Sequence, residues 1–99
     1  MQPDNLTSQI TDEIQRQLSN RAVTSSVCPS EIARALRSDE AAWRSLMPQV
    51  RKVASKLRDE GRLRISQRGI DVPAADLHHG AIRLARGPKF DSSESAAQS

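Results

Sequence analysis

The side chains of this chain that could do chemistry are mostly cations and amides, and they crowd into one stretch. Within residues 48–69, PQVRKVASKLRDEGRLRISQRG, stand Gln49, Arg51, Lys52, Ser55 and Lys56, followed by Arg62, Arg64 and Arg68. A carboxamide can make paired hydrogen bonds to adenine, a guanidinium or ammonium can donate to guanine, and further cations neutralise phosphates. The set therefore has the chemistry of a nucleic-acid reader. Gln49 is suited to adenine and Lys52 or Arg51 to guanine, with Ser55 on the same outer surface. Lys56, Arg62, Arg64 and Arg68 are suited to phosphates, and Arg68 also to probing a minor groove. Taken singly, each is an ordinary solvent-facing residue; the clustering is what makes them a candidate. Asp59 and Glu60 oppose an anion but fall at the end of the helical part.

The charge distribution supports the same stretch. The chain carries a net charge of +3, yet residues 43–70 hold eight Lys/Arg against two Asp/Glu, a net of +6, while both flanking segments are weakly acidic. Such a local field favours a polyanion, duplex DNA first, as a transcriptional regulator would bind, ahead of an acidic protein partner. The alternative function is a protein–protein interaction module that binds no nucleic acid, with Trp43, Met47 and exposed parts of the N-terminal helix as its contact. No apolar run approaches the roughly 18 residues of a membrane span, so no membrane partner is expected.

Other chemistries are thinly represented. Cys28 stands where a helix N-cap would be, which can lower a thiol's pKa, but a capping or packing role explains it as well. His78 and His79 lie near Asp71 and Asp76, without a cysteine cluster to complete a zinc site. No metal or other cofactor is expected. Trp43 reads as a core anchor. No Ser/His/Asp spacing, glycine-rich phosphate loop or carboxylate pair supports catalysis, so an enzyme is not expected.

These residues need elements to hold them. Pro48 is well placed to open a helix in which Val50, Val53, Ala54 and Leu57 form an apolar face, and Gly61 ends it. The period then changes to two: in residues 62–66 Leu63 and Ile65 face one way, Arg62, Arg64 and Ser66 the other. Gln67, Arg68 and Gly69 supply a turn before Ile70, Asp71 and Val72, giving a basic hairpin with Arg68 at its tip. Upstream, Leu6, Ile10, Ile14 and Leu18 recur at i, i+4 in a first helix. After a β-permissive linker at 22–27, Cys28-Pro29-Ser30-Glu31 reads as a capping box opening a second helix with Ile32, Ala33 and Leu36 inward. Asp39 caps a short helical link through Met47, which Pro48 should break. Residues 73–80 read as a loop, and 81–86 as a further strand with Ile82 and Leu84 inward.

The predicted fold is mainly α with a small β-sheet (α+β), a winged helix-turn-helix. It comprises a frayed N-terminus at 1–5, one domain at 6–86 and a disordered polar tail at 87–99 in which only Phe90 could dock. One tryptophan, one phenylalanine and no tyrosine fit a small aliphatic core. A single cysteine permits no internal disulfide and the N-terminus lacks a signal-peptide pattern, so a cytoplasmic protein, monomer or homodimer, is expected.

The blocks CPSEIARAL at 28–36, WRSLMPQVR at 43–51, AxxLxxxG at 54–61 and the later ISQRG together resemble a family of small bacterial proteins of unknown function, regarded as winged-helix-like. The resemblance spans about residues 10–86. It departs at Asp71-Val72-Pro73, where the family tends to have Val-Asp-Pro, and at Gly80-Ala81, where it has Gly-Pro. It implies an architecture and brings no activity or functional residues.

Overall fold

The computed structural model describes residues 5–72 and 80–90. In chain order the elements are α1 (Asn5–Ser19), β1 (Ser26–Val27), α2 (Pro29–Leu36), α3 (Glu40–Asp59), β2 (Leu63–Gln67), β3 (Ile70–Asp71) and β4 (Arg83–Arg86). The first helix follows its pattern, with Ile10, Ile14 and Leu18 wholly buried. At the start of α2, Cys28 is extended and its backbone N–H donates to the Glu31 carboxylate at 3.0 Å, the glutamate half of the expected capping box. The thiol accepts from the Ser30 hydroxyl at 3.3 Å. That backbone N–H, with Arg21 at 2.7 Å, holds the Glu31 carboxyl below the usual carboxylate range. Gln17 reaches from α1 to both Glu13 (2.8 Å) and the Glu31 carbonyl (3.2 Å), tying the two helices together.

The expected break at Met47 does not occur. Asp39 accepts from the Ala42 N–H at 3.1 Å, and the helix it opens runs unbroken to Asp59 with Pro48 in its interior. Leu46 and Val50, buried on either side of the proline, anchor one continuous face to the core. Pro48 and Arg44 are exposed, so the Arg44 carbonyl that loses its donor turns toward water, where a missing helical bond costs least. The separate link and third helix are thus one element. Its end is a Schellman motif: Gly61 takes φ 81°, its N–H donates to the Arg58 carbonyl, and the Arg62 N–H to the Leu57 carbonyl, each at 2.9 Å.

The strands form one antiparallel sheet in the order β1-β4-β2-β3. Arg68 (φ 57°) and Gly69 (φ 82°) make the two-residue turn of the β2–β3 hairpin, both left-handed as the tightest hairpins require. Val27, Leu84, Leu63 and Ile65 turn inward to the helices, so Arg64 and Arg83 turn outward. The linker at 22–27 does more than connect, since Ser26 and Val27 pair with Ala85 and Leu84. Three helices and a four-stranded antiparallel sheet make the protein α+β, consistent with a winged-helix-like arrangement: α2, a turn at 37–39, α3, then the hairpin.

The chain does not leave the fold at 87. The Gly87 N–H donates to the Arg62 carbonyl at 2.9 Å, the Lys89 N–H to the Gly61 carbonyl at 2.8 Å, and Phe90 is buried. Arg86 caps the end of α1 through the Leu18 and Arg21 carbonyls, at 2.9 and 3.2 Å, with its guanidinium 5.0 Å from the Phe90 ring. Apolar burial here outweighs the polar composition that predicted a tail from 87. Of the expected frayed N-terminus at 1–5, Asn5 already belongs to α1. Residues 1–4, residues 73–79 of the expected loop with His78 and His79, and residues 91–99 of the expected tail lie outside the described residues.

Candidate nucleic-acid interface

Along α3 the solvent-facing stripe runs through Ala41, Arg44, Ser45, Pro48, Lys52, Lys56 and Asp59, all exposed. Gln49 and Ser55 are half-buried on its flanks. Because the helix begins at Glu40, Gln49 sits mid-helix and not near the N-terminus where base contacts concentrate in helix-turn-helix docking. That end presents Ala41, Arg44 and Ser45, which the sequence reading left out. The i, i+4 series Arg44, Pro48, Lys52, Lys56, followed through the proline, is the signal that would have included them.

The two flanks of the stripe face different neighbours. Toward α1, the Gln49 amide donates to the Thr7 hydroxyl at 3.3 Å, and Thr7, Gln49, Lys52 and Lys56 surround a surface cavity of about 180 Å³ floored by Val53. Toward the hairpin, Arg51 donates to the Gly80 carbonyl at 2.8 Å, and a side chain at Gly80 would meet the Gln67 amide at 3.5 Å. Arg51 therefore ties α3 to the segment leading into β4, beside Gln67 at the turn end of the hairpin, where Arg68 follows at the exposed turn.

Two predicted residues are not brought to this surface. Arg62 lies at the other end of β2, its side chain only 20% exposed and 3.4 Å from Glu60, with its Nε buried and unbonded. Arg64 projects from the outer face of the sheet, opposite Ala85 and away from the helices. The candidate set thus divides: Gln49, Arg51, Lys52, Ser55 and Lys56 share α3, Arg68 stands at the hairpin turn, and Arg62 and Arg64 stand elsewhere.

The electrostatics favour the α3 group. Asp59 is 3.4 Å from Arg58 and Glu60 the same distance from Arg62, so the acids at the helix end offset those arginines. Lys52, Lys56 and Arg68 form no ion pair among the described residues. Arg44 pairs with Glu40 at 2.7 Å, but both side chains are about two-thirds exposed (67% and 68%), a pair that binding can readily exchange. Trp43 is half-buried against the core, as an anchor should be, and Arg34 and Arg44 lie 4.8 and 5.7 Å from its ring. Cation–π contacts already engage the ring, which is not a bare platform for a base.

Among the described residues no three His, Cys, Asp or Glu side chains converge as a metal centre requires, and no helix is long and apolar enough to cross a membrane. No curated protein matches the chain. Residues 7–87, most of its length, match the family described as "Protein of unknown function (DUF3253)", and the chain belongs to that family.

Proposed function

We propose that this protein binds duplex DNA through the solvent face of α3 and the basic hairpin, in the manner of a small winged-helix transcriptional regulator. The observation that carries the reading is a basic pair on the exposed face of α3: among the described residues Lys52 and Lys56 lack carboxylate partners, while Arg51 bonds Gly80, which lies beside Gln67 next to the turn bearing Arg68. A helix of 20 residues is about 30 Å long and about 10–12 Å across, which suits a major groove about 12 Å wide. Arg44 and Ser45, near the helix start, are the first candidates for base edges; Lys52, Lys56 and Arg68 belong to phosphates.

The test is fluorescence anisotropy of a labelled random-sequence duplex at about 50, 100 and 200 mM salt. We expect binding in the micromolar range with a log–log salt slope of about −2 to −3, the signature of roughly two to three phosphate contacts. Absence of binding at the lowest salt overturns the reading. A second reading, a protein–protein module, is favoured by one observation: Leu36, Trp43 and Met47 are only partly buried at one edge of the core, beside the exposed Arg34 and Arg37. That reading expects capture of a partner to persist at high salt and to fail on Met47→Asp.

A further inference from the structure

We infer that the cleft between α1 and α3 is the seat of a single backbone phosphate, one that sets the register of α3 on the duplex. The inference rests on the DNA reading and deepens it by assigning one phosphate to one built position. Four polar side chains converge there from two helices: Thr7 from the first turn of α1, and Gln49, Lys52 and Lys56 from successive turns of α3. Val53, 3% exposed, closes the bottom. The cavity of about 180 Å³ has room for about six waters at ~30 Å³ each, enough for a tetrahedral oxyanion with part of its hydration shell.

The hydrogen bonding is arranged for an acceptor. Thr7 Oγ1 accepts from Gln49 Nε2 at 3.3 Å, so its own proton is left to donate. The amide nitrogen keeps a second N–H, and the two ammonium groups add only donors. Lys52 and Lys56 are also like charges one helical turn apart, a spacing that disfavours the helix unless an anion stands between them. Among the described residues no carboxylate does so. A phosphate in the cleft turns that repulsion into two charge-assisted contacts. With Arg68 on the opposite flank of α3, the helix would meet one phosphate strand at the cleft and the other at the hairpin.

Sharing has a measurable consequence. Two lysines on one phosphate contribute one contact to the salt dependence, so Lys52→Ala/Lys56→Ala should reduce the slope by about 0.9, where two separate phosphates would cost about 1.8. Thr7→Val should weaken binding about threefold with the slope unchanged, because a hydroxyl carries no charge, and Arg64→Ala should alter neither quantity. Both lysines are exposed, so the double variant should melt like the wild type. If the wild type binds duplex but the double variant loses about 1.8 or nothing, or Thr7→Val binds normally, the seat is overturned and the DNA reading stands. If the wild type binds no duplex, both fall together.

Discussion

Replacing Gly87 by alanine should cost more stability than any other single methyl added to a glycine of this fold. A Cβ there would lie 2.5 Å from the Gly61 carbonyl oxygen, 2.7 Å from the Leu63 nitrogen and 2.8 Å from the Arg62 carbonyl carbon. All three are backbone atoms, well inside the ~3.5–4 Å of a comfortable contact, and none can rotate away. One relief is local strain, at about 1–3 kcal/mol for an overpacked methyl. The other is to lift residues 87–90 off the corner. Lifting gives up the Gly87 and Lys89 backbone bonds, at about 0.5–1.5 kcal/mol each, and the burial of Phe90, at about 1.5–3 kcal/mol. The cheaper route governs, so we expect a loss of about 2–3 kcal/mol. For a domain of this size that lowers Tm by roughly 10–20 °C, read by far-UV circular dichroism. Gly69→Asn is the control: nothing lies within 4 Å of a side chain there, and asparagine accepts a left-handed φ of 82° at small cost. Gly87→Ala melting within about 2 °C of the wild type would refute the account of a clamped corner.

Two further outcomes follow from the helices. Pro48→Ala restores a donor to the Arg44 carbonyl and removes a residue about 3 kcal/mol poorer than alanine in a helix interior. Greater freedom in the unfolded chain returns about 0.4–1 kcal/mol of that. Tm should therefore rise, whereas a helix truly starting at Pro48 would lose stability on the same change. Glu31→Gln should flatten the acid limb of the stability curve. The folded-state pKa of Glu31 lies below its ordinary value of 4.5, mainly through the Cys28 N–H and then through Arg21. Its contribution is therefore full above that ordinary value and is lost as pH falls through the lowered one. Parallel acid limbs for the variant and wild type in urea titrations would show that Glu31 contributes nothing there.

Much of the fold was legible because burial follows period. Ile10, Ile14 and Leu18 marked α1 at helical spacing, and the alternation of Leu63, Arg64 and Ile65 marked β2. The same alternation already implied that Arg64, read as a phosphate-contacting residue of the wing, points away from the helices, as it does. The break at Pro48 was a local rule defeated by distant contacts: Leu46 and Val50 are held by the core on both sides of it. That error hid Arg44 and Ser45, since a helix that starts late has its first turn in the wrong place. Residues 87–90 were hidden differently. Their composition matches a tail, and the burial of Phe90 with the close backbone approach at Gly87 shows why they stay.

The corner and the proposed interface are mechanically linked. Strand β2 leaves α3 through Gly61, and Arg68 stands five residues beyond Leu63, about 17 Å along the strand at ~3.3 Å per residue. A change of about 10° at the corner would move that turn by about 3 Å, enough to break any contact made within hydrogen-bond range. The angle therefore needs a restraint at each end of the hairpin. At the corner, Gly87 and Lys89 bond the Arg62 and Gly61 carbonyls; toward the turn, Arg51 holds Gly80 beside Gln67. This explains why an arginine in the middle of the basic helix bonds a backbone carbonyl of its own chain. On the proposed DNA reading, Arg51 is a positioning residue: it holds Gly80 against α3, close to the turn that carries Arg68.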